Sequence, residues 1–294
     1  SVVLKGLKIY SDNLSAIVSV GDDGGSSGIL REQLGLIPPG DFRNCLVALA
    51  EDESLVGKLF QYRFSQGEGL QGHSFGNLFI AAMANITGGF DQALIESSKV
   101  LSVNGSILPA TLSPIELIAD LGNGSILRGE SKIGGTGDSI NRLSIDPAEV
   151  KAYPKSIDAI YNAELIVLGP GSLYTSVLPS LLVSEIKEAV AKSNAYKIYV
   201  CNVATQLGET SNYGIDEHVS ALLEHTREGF VDCVIANDLV GIESESIISN
   251  IPPGPSRVNG INVVYGDIID VENKYRHDPN SLADLIIKVY HNSR

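Results

Sequence analysis

Short apolar segments alternate with amphipathic segments along most of the chain. Helical spacing of apolar residues marks stretches such as VSEIKEAVAKS and HVSALLEHT. Between such stretches lie nearly continuous apolar runs that end in glycine or polar residues, as in strands buried on both faces of a parallel sheet. These runs are AIVSV (16–20), ELIVLG (164–169), KIYVCNV (197–203), VDCVIAN (231–237) and INVVYGD (261–267). The alternation predicts an α/β fold with a doubly wound, mostly parallel sheet, which binds ligands at the carboxyl ends of its strands.

Residues 107–146 depart from this alternation. Within them, PIELIADLGNGSILRGESKI changes between apolar and polar with period two around Asn123-Gly124, a dipeptide typical of hairpin turns. We therefore expect an antiparallel hairpin insertion at about 107–146, at one end of the sheet.

The first residues, SVVLKGLKIY, place Val2, Val3, Leu4 and Leu7 on one apolar helix face. Because an α/β domain normally begins with a strand and a turn, we expect a strand upstream of this helix. No Pro/Ser-rich linker or low-complexity tract divides the chain, so residues 1–294 are expected to form a single domain.

Composition narrows the classes of partner. The chain has 294 residues, of which 44% are hydrophobic, and its formal net charge of −14 argues against nucleic acid or anionic membrane surfaces as partners. Its three cysteines lack CxxC spacing, which favours reduced thiols in a cytoplasmic protein. Apolar runs such as LFIAAM are far shorter than the roughly 20 residues that span a bilayer, so we expect no membrane insertion.

The stretch VGDDGGSSG, residues 20–28, is the first candidate binding loop. Gly24 and Gly25 allow close backbone approach, and Ser26, Ser27 and the following amides offer hydrogen-bond donors to an anion. Asp22 and Asp23 would repel a bare phosphate, so they suit either Mg²⁺ bridging to a phosphate or the hydroxyl groups of a sugar or base. An ordinary turn followed by a helix cap is the alternative.

A second cluster, PPGDFRN, precedes a helix. Asp41 is predicted to be its N-cap, with Arg43 and Asn44 in the first turn. A cation there opposes the helix dipole, which favours another role for Arg43: contact with an anionic ligand, or a salt bridge to Asp41 or Glu51.

GHSFGN, residues 72–77, matches the GxSxG nucleophile pattern, but the preceding RFSQGEGLQ is polar and glycine-rich rather than a strand. A nucleophilic Ser74 is therefore disfavoured. The competing interpretation is a helix N-terminus at which His73 and Asn77 contact a ligand, with a simple cap as the alternative for His73.

Glycine-rich or polar residues also follow two later strands. Gly169, Gly171, Ser172 and Thr175 come after ELIVL, the correct context for a phosphate at a helix start, although this loop contains neither GxxxxGK[ST] nor a full GxGxxG. The next strand is followed by Asn202, Thr205 and Glu209, all belonging to CNVATQLGET. Because such strand ends converge in a parallel sheet, we expect these residues to border one crevice.

Taken in order and spacing, six blocks resemble the CofD-like, YvcK-type family, which contains 2-phospho-L-lactate transferase and the bacterial gluconeogenesis factor. The blocks are VGDDGGSSG, PPGDFRNCLVALAED, GHSFGNLFIAAM, LGPGSLYTSVLPSLLV, YVCNVATQLGET and RHDP. They extend over nearly the whole chain and are closer to the gluconeogenesis-factor branch. The resemblance implies a Rossmann-like three-layer domain that binds a nucleotide sugar, forms a homodimer and carries a GGGTG loop before the first helix.

The resemblance also implies functions. Gluconeogenesis factors are cytoplasmic, bind UDP-sugars such as UDP-N-acetylglucosamine, and are required for cell shape and envelope synthesis during growth on gluconeogenic carbon sources. The transferase branch instead moves phospholactate from a nucleotide diphosphate-linked donor, using Mg²⁺. We favour a non-catalytic UDP-sugar-binding factor, since no convincing nucleophile or acid/base pair is visible. A Mg²⁺-dependent transferase is the alternative, because such chemistry needs no protein nucleophile.

Carried over by position, the resemblance places Asp22, Asp23, Gly24 and Gly25 at the ligand or a possible Mg²⁺, and Arg43-Asn44 at the wall of the site. Gly169 to Ser172 would face a phosphate, with Asn202 and Thr205 beside it, and Arg276 of RHDP would reach the sugar nucleotide. The chain departs from the family pattern at Ile29, Phe42 and Leu207. Ile29 stands where an arginine is usual, which removes one expected anion contact.

Overall fold

The computed structural model describes residues 1–50, 55–238 and 249–294. Its central feature is a five-stranded sheet with the order β6-β7-β8-β10-β9. The strands are β6 (Leu165–Leu168), β7 (Tyr196–Val200), β8 (Cys233–Asn237), β9 (Arg257–Val258) and β10 (Ile261–Gly266). All neighbours are parallel except the short β9, which pairs antiparallel with β10. Every residue of β8 is buried, as its unbroken apolar run predicts.

Two further strands form a separate parallel pair. β1 (Ser15–Val18) and β2 (Ser106–Pro109) align Ser15 with Ser106 and Val18 with Pro109. All five apolar runs therefore contain strands, as predicted, but the first of them joins this pair rather than the five-stranded sheet.

The antiparallel insertion forms a third sheet with the order β4-β3-β5. β3 (Glu116–Leu121) and β4 (Ile126–Arg128) flank the turn at Asn123-Gly124, so the predicted hairpin is confirmed. β5 (Ile140–Asp146) pairs with the other edge of β3, and a short helix, α7 (Glu130–Ile133), lies between β4 and β5. The insertion is shorter than predicted, because residues 106–109 pair parallel with β1.

Helices pack against these sheets. In chain order they are α1 (Val2–Leu7), α2 (Gly25–Leu34), α3 (Gly40–Leu49), α4 (Leu55–Gln61), α5 (Phe75–Thr87), α6 (Phe90–Val100), α8 (Pro154–Asn162), a π-helix (Leu173–Val177), α9 (Leu178–Leu181), α10 (Ser184–Lys192), α11 (Ile215–His225) and α12 (Pro279–Asn292). The apolar face predicted for α1 buries Leu4 and Leu7 and packs on α12. Among the described helices, none has the length and apolar character required to cross a bilayer.

The core consists of two groups of buried side chains. The larger joins β1, the insertion, α3, α5 and α10, with Phe42, Leu46 and Leu117 fully buried. The smaller lies between the five-stranded sheet and α12, around Ile198 and Ile286. Loops follow the carboxyl ends of β1, β6 and β7. The mixed α/β architecture around a parallel sheet is consistent with a Rossmann-like fold.

Candidate functional site

The two aspartates that follow β1 point to different neighbours. Asp22 Oδ1 accepts a hydrogen bond from the Gly24 amide at 2.9 Å, and a Cβ at Gly40 would lie 2.8 Å from Asp22 Oδ2. Asp23 Oδ1 instead accepts the amide of Ser131 at 2.8 Å. Asp22 therefore faces the start of α3, whereas Asp23 faces the start of α7.

Three helix N-termini meet beside this loop: those of α2, α3 and α5. Ser27 Oγ, near the start of α2, accepts the Gly40 amide at 3.1 Å. Ser26 Oγ lies 3.0 Å from His73 Nδ1 and 3.4 Å from the Ser74 amide. Because each helix N-terminus carries positive dipole charge and free amides, their convergence favours an anion.

Arg43 adds a cation to these helix starts. Its Nη2 donates to Asn44 Oδ1 at 2.9 Å and its Nη1 to Asn77 Oδ1 at 3.2 Å. Its Nε is buried without a hydrogen-bond partner, and within the described residues no carboxylate forms a salt bridge with it. Burial and then the neighbouring Arg63 lower the pKa of Arg43. The nearby charges of Asp41 and Asp22 act on the pKa in the opposite direction. The structure thus brings the predicted Arg43, Asn44 and Asn77 together around a guanidinium that forms hydrogen bonds to amide oxygens and no described salt bridge.

The structure tests the predictions made for Asp41 and Ser74. Pro39 is the residue that caps α3, so the prediction of Asp41 as N-cap is wrong; Asp41 lies one residue inside the helix, where its carboxylate still suits the dipole. Ser74 is the N-cap of α5, fully buried, and accepts the Asn77 amide at 3.3 Å, which agrees with the argument against a nucleophile. Glu51, the other suggested partner of Arg43, lies outside the described residues.

The second glycine-rich loop leads from β6 into the π-helix. Gly169 has φ +79°, and a Cβ there would lie 3.0 Å from the carbonyl oxygen of Val200 at the end of β7. Ser172 Oγ accepts Gln206 Nε2 at 2.7 Å, and Gln206 Oε1 accepts Asn202 Nδ2 at 3.2 Å. The loops after β6 and β7 are therefore joined by side chains, as their positions in a parallel sheet predict.

The side chain of Glu209, from the loop after β7, lies at the start of the π-helix. Its Oε1 accepts the Thr175 hydroxyl at 2.8 Å and its Oε2 the Tyr174 amide at 3.2 Å. The side chain is buried, and burial raises the pKa of Glu209. Thr175, predicted to bind a phosphate, thus already donates its hydroxyl proton to a carboxylate of the chain.

Glu130, on α7, connects the two loop systems. Burial, followed by the charges of Asp22, Asp23, Asp41 and Glu209, raises the pKa of Glu130 to about 7. In the part of the chain that the structure describes, nothing donates a hydrogen bond to its carboxylate. Glu130 therefore lies in an acidic region, here called the crevice, between the loop after β1 and Glu209 of the loop after β7.

The sequence reasoning included Ser27 beside Ser26 as a donor in the first loop, but it missed Gln206 and Glu130. Glu130 follows a glycine in the insertion, far from the other motifs along the chain, and carries no local signal of its place in the site.

Carboxylate oxygens such as those of Asp22 and Glu130 are ligands that Mg²⁺ accepts. Within residues 1–50, 55–238 and 249–294, however, no three His, Cys, Asp or Glu side chains are arranged to hold a metal ion by themselves. The residues present therefore fit Mg²⁺ in the usual manner of nucleotide sites, where one or two carboxylates share the ion with ligand phosphates.

Two predicted residues, Thr205 and Arg276, form no side-chain hydrogen bond with the other candidates in the described part of the chain. Thr205 Oγ1 donates to the Ser249 carbonyl at 3.3 Å. Arg276 is exposed on the loop before α12. The adjacent His277 donates from Nε2 to the Cys201 carbonyl at 3.1 Å, which holds this loop at the carboxyl end of β7. Arg276 is thus at the correct edge of the sheet, but its side chain is not part of either hydrogen-bonded cluster.

Comparison with known proteins identifies the family. The sequence profile of the family described as 2-phospho-L-lactate transferase CofD matches residues 1–251. A relative from Nostoc sp. is 45% identical over 99% of this chain, which spans 66% of that relative's length. The gluconeogenesis factor of Bacillus subtilis is 45% identical, covering 98% of this chain and 93% of its own length.

A solved structure shows the same fold. The crystal structure of protein BH3568 from Bacillus halodurans superposes with a TM-score of 0.92 at 41% identity, over 97% of this chain and 95% of that one. The chain therefore belongs to the CofD family, among relatives named gluconeogenesis factors.

Proposed function

We propose that this chain is a cytoplasmic UDP-sugar-binding factor, with UDP-N-acetylglucosamine as its ligand, that supports cell morphology and envelope synthesis during gluconeogenic growth. The name of the Bacillus subtilis relative supports the gluconeogenic context. In this proposal the crevice senses the ligand and has little or no turnover.

The convergence of the starts of α2, α3 and α5 beside Arg43 carries the proposal. A diphosphate needs amide donors and a cation, and both occur there. A sugar needs hydrogen-bond acceptors, and the carboxylates of Asp22 and Glu130 lie next to the same helix starts. One side of the crevice therefore suits the phosphates and the other the hydroxyl groups.

Isothermal titration calorimetry tests the proposal. The chain is titrated with UDP-N-acetylglucosamine in EDTA and again in Mg²⁺, with GDP-mannose as a control for the base. Saturable binding in EDTA that GDP-mannose does not reproduce is expected. No binding under either condition would reject the proposal.

A Mg²⁺-dependent phospholactate-type transferase is the second candidate. The carboxylates of Asp22, Asp41 and Glu130 favour it, because Asp22 and Asp41 lie close enough to Glu130 to raise its pKa. Bound Mg²⁺ would neutralise charge on a nucleotide diphosphate. The chain's own residues would then position the donor at the helix starts.

Asp22→Asn distinguishes the two candidates. As a sensor residue, Asp22 accepts ligand hydroxyls, so Asp22→Asn weakens binding equally in EDTA and in Mg²⁺. As a metal ligand, it affects binding only when Mg²⁺ is present. Asp120→Asn, an exposed change on β3, is the matched control.

We also propose that the chain forms a homodimer, as the resemblance to its family implies. Size-exclusion chromatography with light scattering is expected to give twice the chain mass of 31.2 kDa. A peak at the mass of one chain would contradict the dimer without affecting the ligand proposal.

A further inference from the structure

Residues 129–136, here called the strap, run between the two glycine-rich loop systems. At its beginning, the Ser131 amide donates to Asp23 Oδ1 at 2.8 Å, and a Cβ at Gly129 would overlap Asp23 Oδ2. At its end, a Cβ at Gly208 would overlap the carbonyl oxygen of Thr136. The strap is thus held by the loop after β1 at one end and by the loop after β7 at the other.

Glycine backbone conformations permit both contacts. Gly129 has φ +99° and Gly208 has φ +83°, values that other residues adopt only with strain. Each glycine also meets its neighbour too closely to admit a Cβ. The attachment therefore depends on these two positions as well as on Asp23.

Asp23 and Asp22 differ in what they can offer a ligand. Oδ1 of Asp23 is engaged by the Ser131 amide, and its Oδ2 lies against the backbone of Gly129. Asp22 uses Oδ1 within its own turn and leaves Oδ2 beside the start of α3. Although the two residues are adjacent in sequence, only Asp22 is directed toward the converging helix starts.

The strap also brings carboxylates together. A Cβ at Gly24 would lie 3.5 Å from Asp22 Oδ1 and 4.0 Å from Glu130 Oε2. Like charges at this range repel one another. A ligand that supplies hydroxyl donors, or a cation shared with its phosphates, would remove that repulsion.

We propose that Asp23 is a positioning residue, which holds the strap beside the candidate ligand site by accepting the Ser131 amide instead of contacting ligand or metal. That a ligand binds beside the strap rests on the proposed function. The attachment of the strap by Asp23 does not, because it can be measured without ligand.

Hydrogen exchange followed by mass spectrometry tests the attachment on the ligand-free protein. Asp23→Ala is expected to speed exchange of the amides of 131–134 by about tenfold, with peptides from β3 and β5 unchanged. Asp23→Asn keeps a side-chain oxygen acceptor, so a smaller increase is expected. Asp120→Asn, an exposed change outside the strap and the candidate site, is the control and leaves exchange in the strap unchanged. Equal exchange in wild type and Asp23→Ala would overturn the attachment.

Gly208→Ala perturbs the other end and supplies a second variant should Asp23→Ala fail to fold. It is expected to speed exchange of the same strap amides, because its Cβ displaces the Thr136 carbonyl. Unchanged exchange in this folded variant would show that the strap is not held there and would overturn the proposed attachment at that end.

The role of Asp23 toward the ligand is tested by adding UDP-N-acetylglucosamine. Faster ligand dissociation from Asp23→Ala than from Asp23→Asn is expected, because only Asn keeps an acceptor for the Ser131 amide. A ligand contact would instead make Asn as damaging as Ala and would overturn the positioning role. If the wild type does not bind, the proposed function fails, while the exchange data still decide the role of Asp23.

Discussion

At the scale of single residues, Arg43 is the most unusual feature of the crevice. It stands in the first turn of α3, where the helix dipole disfavours a cation, and its guanidinium faces two asparagine side chains rather than a carboxylate. Among the described residues, its buried Nε has no hydrogen-bond partner. An anionic ligand would supply the salt bridge that no described carboxylate forms with it.

Arg43→Gln is expected to weaken UDP-sugar binding by about 1.5–3 kcal/mol, the range for a hydrogen bond to a charged group. Calorimetry provides the measurement. Arg128→Gln is the control, because Arg128 is an exposed arginine paired with Glu116 and Asp146 on the outer face of the insertion. Equal affinity of Arg43→Gln and wild type would exclude Arg43 from the ligand site.

Arg276 requires a test of its own, since its side chain is exposed and belongs to neither cluster. If it contacts the ligand, Arg276→Ala weakens binding by about 1–3 kcal/mol. The neighbouring Lys274→Ala, on the same loop, controls for a general loss of positive charge. Identical losses in both variants would indicate a nonspecific charge effect.

At the scale of elements, the contact between α1 and α12 depends on a residue without a side chain. A Cβ at Gly6 would overlap the Pro279 carbonyl and lie 2.7 Å from the Cβ of Ala283. Close approach of the two helices is thereby fixed at one point. This contact lies on the side of the sheet buried by α12.

Gly6→Ala is expected to lower the free energy of unfolding by about 1–3 kcal/mol, because overpacking outweighs the gain of about 1 kcal/mol in helix propensity. Urea denaturation gives the value. Lys5→Ala, on the exposed face of the same helix, should be nearly neutral. Stabilisation by Gly6→Ala would show that the helices separate at little cost.

At the scale of the whole molecule, several histidines are neutral in the folded protein. Nε2 of His225 accepts the Leu143 amide, so its proton is on Nδ1, which donates to the Ala221 carbonyl. Burial lowers the pKa of His225 and of His218, and lowers that of His277 to about 4. These contacts join α11 to β5 and the RHDP loop to β7.

Acid is therefore expected to destabilise the fold. Because the pKa of His277 is lower in the folded than in the unfolded chain, where it is about 6.5, its contribution is present above about pH 6.5 and is lost as the pH falls toward 4. The difference corresponds to about 3 kcal/mol. Melting temperatures from pH 8 to 4.5 should fall in wild type and fall less in His277→Gln.

The titration of Glu130 gives stability the opposite dependence on pH. Its folded pKa of about 7 exceeds the usual value, so its contribution is full below about pH 4.5 and is lost as the pH rises through 7. Glu130→Gln should therefore raise the melting temperature at pH 8 relative to wild type and have little effect at pH 4.5. A uniform shift at all pH values would argue against a raised pKa.

Much of this protein follows from its sequence. An unbroken apolar run such as VDCVIAN is typical of a strand whose two faces are both buried. Asn123-Gly124, between two alternating segments, is typical of a tight hairpin turn. The glycine and serine residues that follow β1 and β6 likewise identify binding loops, because local backbone freedom and hydroxyl groups are properties of the residues themselves.

Tertiary structure decided which of those residues act together. Sequence gives Asp22 and Asp23 the same character, but packing directs Asp23 to the strap and leaves Asp22 at the helix starts. Glu209 reaches the π-helix from 34 residues along the chain, and Ser131 is 108 residues from Asp23. Burial and the sum of neighbouring charges exist only after distant segments meet, so the crevice around Glu130 could not be read from any single stretch of sequence.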